Sequence, residues 1–291
     1  MHTTILVTGA TGTVGREVVK QLAMLDGDIR VRAGVHSIIK GENLKRLPGV
    51  EIVEMDFEDP ESLRAAFTHV DKLFLITPLA EDQVQMARTL VDEAKRAGAK
   101  HIVKLSALGA GAAHGIQLGR WHHEIEQYIE ESGISYTFLR PASFMQNLIE
   151  YHAESIKQEG RFYMPSGDGR ISYVDARDIA AVGIEALLGD GHAGKVYDIT
   201  GPEALSNTEV AQLLSEVTGR QVAFVDVPEE DYRRSLKEHG SPARITDALV
   251  ELYQVQKADK SSGVTDAVEK VTNRKPHSMR QFLQDHSDCF V

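Results

Sequence analysis

Through the first 140 residues, short apolar runs alternate with stretches in which apolar positions recur every three or four residues. The runs Ile5–Thr8, Ile29–Val35, Val50–Met55, Leu73–Ile76, His101–Leu105 and Tyr136–Leu139 have the length and side-chain types of buried strands. Between them, Val14, Val18, Leu22 and Leu25 mark one helical face. Val84, Ala87, Val91 and Ala94 mark a second, and Trp121, Ile125, Tyr128 and Ile129 a third. Strand and helix in alternation, joined by short connections, predict right-handed crossovers and a parallel sheet covered on both faces. The expected fold class is α/β, a doubly wound parallel sheet.

After Arg140-Pro141 the rhythm changes. Phe144–Gln158 reads as a helix and Pro165–Arg170 as a turn. Ile171–Leu188 reads as a short strand leading into a helix, and Lys195–Thr200 as a further strand. From Gly201 helices dominate, with Val210, Leu213, Leu214 and Val217 on one face and Ile245, Leu249, Leu252 and Tyr253 on another. The expected division is a sheet domain over 1–200 and a smaller, mainly helical lobe over 201–291.

Composition narrows the function classes. Asp and Glu number 43 against 32 Lys and Arg, a net charge of -11 that repels nucleic-acid backbones and anionic lipid. The single cysteine, Cys289, allows no internal disulfide, which suits a reducing compartment. No signal-peptide pattern opens the chain, and no apolar stretch approaches the about 18 residues of a membrane span. The expectation is a cytoplasmic protein with no direct nucleic-acid partner and no membrane partner.

The chemistry starts directly behind the first strand, in "VTGATGTVG". Gly9, Gly12 and Gly15 stand at three-residue intervals between a strand and an amphipathic helix. In that context the first glycine permits a tight turn, the second admits a pyrophosphate to the backbone, and the third allows close packing of the helix. The intervening Ala10, Thr11, Thr13 and Val14 complete a dinucleotide loop whose anion site is the helix N-terminus. An NAD site carries an Asp or Glu after the second strand. Here Arg32, His36 and Lys40 occupy that stretch and no acid precedes Glu42, so the expected cofactor is NADP, with NADPH preferred over NADH. Residues 141–170 are expected to contribute to the substrate side of this Rossmann-type domain.

These stretches, with "MDFEDPESL", "AKRAGAKHIVKLSALG", "SGISYTFLRPASFMQN" and "SYVDARDIA", resemble the NmrA-like, atypical branch of the short-chain dehydrogenase/reductases. The resemblance runs through about two-thirds of the chain in the family's order. It implies a reductase of quinones, azo dyes or triphenylmethane dyes, or else a cofactor-binding regulator with little catalysis. It also implies that Asp56 and Phe57 flank the adenine and that Thr77, Pro78 and Leu79 border the adenosine. By the same resemblance Ser106 lies near the nicotinamide ribose, and Pro141, Ala142, Ser143 and Phe144 line the nicotinamide pocket.

One departure bears on mechanism. Typical members of the superfamily carry Tyr-x-x-x-Lys on the helix after the fifth strand. With Glu126 and Gly133 as anchors, Leu118 takes the Tyr position and His122 the Lys position. Hydride addition to a simple ketone makes a strongly basic alkoxide that needs a positioned acid. A quinone or dye gives a delocalised, weakly basic product. The missing tyrosine therefore points to a small, conjugated, electron-poor acceptor, with His122 as the candidate catalytic residue. The loop Ala107–Gly119, rich in Gly and Ala, is expected to form a low-bulk rim. His122 and Glu126 share a helix face without a third ligand in sequence, so no metal is expected. The alternative is a non-catalytic NAD(P) sensor acting on a protein partner; a homodimer stays open under either reading.

Overall fold

A computed structural model describes residues 2–112 and 115–291. The chain opens with β1 (Thr3–Val7), α1 (Thr13–Ala23), β2 (Ile29–Val35), the single turn α2 (Ile38–Gly41), β3 (Val50–Glu54) and α3 (Pro60–Phe67). It continues with β4 (Lys72–Leu75), α4 (Gln83–Ala97), β5 (His101–Leu105), α5 (Gln117–Ser132) and β6 (Ser135–Pro141). Beyond come α6 (Asn147–Glu159), β7 (Arg161–Met164), α7 (Ala176–Leu188), β8 (Lys195–Ile199), α8 (Asn207–Thr218) and β9 (Ala223–Asp226). Four helices end the fold: α9 (Glu229–Glu238), α10 (Ala243–Lys257), α11 (Ala267–Thr272) and α12 (Met279–Asp285).

Seven strands form one sheet in the order β3-β2-β1-β4-β5-β6-β8, and β1 to β6 pair in parallel. This is the doubly wound α/β architecture, with the strand order reversing between β1 and β4. The first strand ends at Val7, one residue before the sequence pattern suggests. The Thr8 N–H still donates to the Phe74 carbonyl at 3.1 Å, but its hydroxyl donates to the Ile76 carbonyl at 2.7 Å and accepts from the Ile76 N–H at 2.8 Å, so beyond Phe74 a side chain takes over the pairing.

The chain forms two compact units, one of 1–112, 119–140 and 179–197, the other of 113–118, 141–178 and 198–291. In the first, Leu63, Phe67, Leu90, Val91, Ile125 and Ile129 from the helices pack with Leu6, Leu73, Leu75, Ile102 and Phe138 from the strands. Each such side chain contributes about 1.5–3 kcal/mol on burial. Asp59 caps α3 by accepting from the Glu61 N–H at 2.9 Å, and Gly98 ends α4 at φ +77°.

The second unit has its own core of Met145, Phe162, Tyr173, Val210, Leu214, Met279 and Phe282, among others. It takes in residues 141–178 and is less purely helical than its periodicity suggests. β7 and β9 pair as a two-stranded parallel sheet, Arg161 opposite Ala223 and Met164 opposite Asp226. The stretch before α7 is no regular strand. Ile171 bridges Leu205 and Ser261 while Val174 bridges Phe144, and pairing with three separate segments leaves no continuous ladder.

One half-buried histidine, His101, is expected to make the first unit sensitive to acid. His101 Nε2 meets Thr137 Oγ1 at 3.0 Å, and that hydroxyl gives its proton to the His192 carbonyl at 2.7 Å. Nε2 is therefore the ring's donor, and Nδ1 accepts from Ser135 Oγ at 2.9 Å. Burial, with Lys72 and His192 nearby, lowers the His101 pKa to about 4. The unfolded chain binds the proton near its ordinary value of about 6.5, so this contribution is complete above that pH and is lost as the pH falls toward 4. Urea midpoints measured across this window should decline for the native chain and decline by one proton less for His101→Gln. Equal slopes for the two would contradict this assignment.

Candidate cofactor and reaction site

The strand registers level the carboxyl ends of the sheet. Val7 stands opposite Ala33 and Phe74, Val35 opposite Glu54, and Leu75 opposite Lys104. The segments that follow β1 to β5 thus emerge along one edge, at the order reversal where doubly wound sheets bind ligands. Gly9, His36, Asp56, Thr77 and Ser106 all lie in these segments.

Gly9 has φ +58°, a left-handed conformation that favours glycine. The Gly12 N–H donates to the Gly9 carbonyl at 3.0 Å and closes the turn. A Cβ on Gly15 would sit 2.2 Å from that carbonyl oxygen, so the third glycine is required by the turn's own backbone. Ala10 is buried and its N–H donates to the Gly34 carbonyl at 3.1 Å. Val14 is also buried, Thr11 is exposed, and Thr13 is the first residue of α1.

Two observations show that this edge fits a dinucleotide. Gly12 is the N-cap of α1 and makes no side-chain capping bond, the arrangement that leaves the positive end of a helix dipole at the turn for an anion. After β4, the Thr77 hydroxyl is buried without a hydrogen-bond partner, which a polar ligand would satisfy. Pro78 and Leu79 beside it are exposed.

The cationic set after β2 is smaller than its sequence suggests. His36 and Lys40 are exposed, Lys40 on α2. Arg32 lies within β2, and its guanidinium donates to Glu51 Oε2 at 3.0 Å, to the Ala66 carbonyl at 3.2 Å and to the Thr68 carbonyl. Those carbonyls end α3, where a cation complements the helix dipole. Arg32 thus joins β2 to β3 and to the end of α3, whereas His36 and Lys40 are exposed. After β3, Asp56 Oδ1 accepts from the Glu58 N–H at 2.9 Å, while Phe57 packs half-buried against the core.

A polar network that sequence reasoning missed joins β5, α5 and β6. Ser106 is buried and donates to Glu126 Oε1 at 2.5 Å. Arg140 grips the same carboxylate through Nε at 3.0 Å and Nη2 at 2.6 Å. The Glu126 side chain is only 3% exposed. Beside this network Lys104, fully buried, donates from Nζ to the Leu105 carbonyl, and His122 Nδ1 lies 3.3 Å from the same nitrogen. Burial lowers the Lys104 pKa to about 7, with the Glu126 carboxylate pulling it back up. Burial first, then the Lys104 charge, holds His122 well below its usual range. A lysine in the apolar run "HIVKLS" was the one sequence signal for this arrangement.

The tyrosines near the missing acid are occupied elsewhere. Tyr128 donates to Asp92 Oδ1 at 2.8 Å and Tyr136 to Glu130 Oε1 at 2.9 Å. Leu118 is the second residue of α5, four before His122. In the second unit, the Ala142 N–H donates to the Ile199 carbonyl at 2.9 Å and Ser143 Oγ accepts from Gln256 Nε2 at 3.0 Å. Pro141 is buried and Phe144 half-buried. The centre of the expected rim, Ala113 and His114, lies outside the described residues. Among the described residues no cluster of His, Cys, Asp or Glu could hold a metal, and no helix is long and apolar enough to cross a membrane.

Comparison with known proteins agrees with this geometry. The chain is 42% identical to the NAD(P)H azoreductase of Xenophilus azovorans over 286 residues, 98% of this chain and 99% of that one. The Escherichia coli NADPH-dependent quinone oxidoreductase QOR2, in complex with NADPH, superposes with a TM-score of 0.84 at 27% identity, covering 97% of this chain and 99% of its own. The Citrobacter sp. triphenylmethane reductase complexed with NADP(H) gives 0.82 at 27%, covering 97% and 99%. The family model of the NmrA-like family matches residues 1–283, and the chain belongs to that family.

Proposed function

We propose that this chain is an NAD(P)H-dependent reductase of conjugated, electron-poor acceptors of the quinone or azo-dye kind, with NADPH preferred over NADH. The observation that carries the reading is the turn Gly9–Gly15, which presents the side-chain-uncapped N-terminus of α1 at the sheet's order reversal. In this reading Gly9 to Gly15 hold the pyrophosphate, and Asp56, Phe57, Thr77, Pro78 and Leu79 surround the adenosine. His36 and Lys40 meet the 2′-phosphate. Ser106 and His122 face the nicotinamide ribose, with His122 Nε2 also within reach of the acceptor, and Pro141 to Phe144 line the nicotinamide pocket. Bound NADPH supplies the hydride. The protein supplies orientation and proximity.

Whole-length identity of 42% with a reductase favours the enzyme over the sensor alternative, which keeps the same turn but carries out no turnover. The test is purified protein with NADPH or NADH and a panel of quinones, azo dyes, triphenylmethane dyes and aliphatic ketones, followed spectroscopically. Turnover of at least one conjugated acceptor and poor turnover of the ketones are expected. NADPH should bind more tightly than NADH, by a margin that shrinks with added salt because His36 and Lys40 are exposed. NADPH binding without turnover of any acceptor would overturn the reductase reading in favour of the sensor. Equal affinities at low salt would overturn the cofactor preference.

A further inference from the structure

We infer that Lys104 is a positioning residue for acceptor reduction: it fixes His122 in its Nε2–H tautomer and resupplies the proton that His122 gives up. The inference rests on the reductase reading and adds to it a residue that the family resemblance does not assign.

Lys104 is the fourth residue of β5, between Val103 and Leu105, and none of it is exposed. A charged amine in such a place is tolerated only with partners. It has two, the Leu105 carbonyl and His122 Nδ1. An ammonium has protons to give and no lone pair to accept with. Nδ1 therefore accepts in this pair, and the proton of the neutral ring resides on Nε2. Among the described residues no hydrogen bond is made by Nε2, which leaves it as the ring's available donor. The charged groups facing this pair are Glu126, from α5, and Arg140, which grips Glu126 from β6. Typical superfamily members place a lysine at the helix position His122 occupies. In this chain the ammonium comes from the strand, 3.3 Å from His122 Nδ1.

The proton inventory balances. Once reduced by hydride, a quinone or azo acceptor bears an anionic oxygen or nitrogen. The His122 Nε2–H bond breaks as the acceptor O–H or N–H bond forms, and an Nζ–H proton of Lys104 passes to Nδ1. The ring remains neutral, in the opposite tautomer; Nδ1 then returns its proton to the amine of Lys104 as Nε2 takes one from water, which restores the starting state. A lysine held at about 7 exchanges its proton readily near neutrality.

The experiment is 15N NMR of the imidazole in the full chain, together with pH profiles of kcat. The native protein should show His122 as the Nε2–H tautomer below pH about 7. Lys104→Met should lose that preference and Lys104→Arg should retain it. In turnover, kcat of the native enzyme should fall as pH rises through about 7, and Lys104→Arg should remove that limb. Lys104→Met should lower kcat about tenfold at the low-pH plateau while NADPH affinity stays within about twofold. If Lys104→Met does not fold, the native spectrum still decides. An Nδ1–H tautomer in the native protein, or an unshifted pH limb in Lys104→Arg, overturns the inference and leaves the reductase reading intact. Absence of turnover with every acceptor overturns that reading instead, whatever the tautomer.

Discussion

Gly15→Ala is expected to reduce NADPH affinity by at least about 100-fold, equivalent to about 2.8 kcal/mol. The new Cβ would lie 2.2 Å from the Gly9 carbonyl oxygen and 2.9 Å from its carbon, both backbone atoms in the same turn. No rotamer relieves a Cβ clash, so α1 and the turn must separate. Separation breaks the Gly12 to Gly9 hydrogen bond and moves the helix N-terminus from the anion position. Equilibrium titration of NADPH by fluorescence checks the result, with circular dichroism reporting whether the fold persists. Affinity within a few-fold of native in a folded variant would show that the turn has room to adjust.

The second large effect is on stability. Glu126→Leu removes the carboxylate that accepts from Ser106 and from two nitrogens of Arg140, and leaves a largely buried guanidinium charge without it. Breaking one side of such a pair destabilises by about 3–5 kcal/mol. Glu126→Gln keeps an acceptor oxygen and should be milder, and Glu126→Leu combined with Arg140→Met should recover a large part of the loss. Denaturant unfolding of the native protein, Glu126→Leu, Arg140→Met and the double variant measures this cycle, with Glu126→Gln alongside. Additive losses in the double variant would mean that the two side chains act independently.

The elements of the sheet domain were legible because both periodicities are strong there: the β2 and β5 bounds agree with the apolar runs to the residue. The glycine turn was legible for the same reason, since spacing and context coincide. What escaped the sequence depends on where side chains reach. Arg32 looks like a free cation until Glu51 and the end of α3 are brought beside it, from 19 and more residues away. Lys104 and His122 stand 18 residues apart, and only the pairing of strand with helix sets their nitrogens 3.3 Å from one another. β7 and β9 are short strands, separated by α7, β8 and α8, and their pairing has no local signature.

The placement of Arg32 has a consequence for how cofactor choice can change over evolutionary time. Its guanidinium is a fastener between β2, β3 and α3, so replacing it loosens the scaffold whichever nucleotide is bound. His36 and Lys40 hang outside that scaffold on the following segment, where substitution disturbs little packing. On the proposed binding mode, stability and nucleotide preference are carried by different basic residues a few positions apart. A lineage could drift from one nicotinamide cofactor toward the other through the exposed pair alone, without first acquiring a stabilising reserve elsewhere.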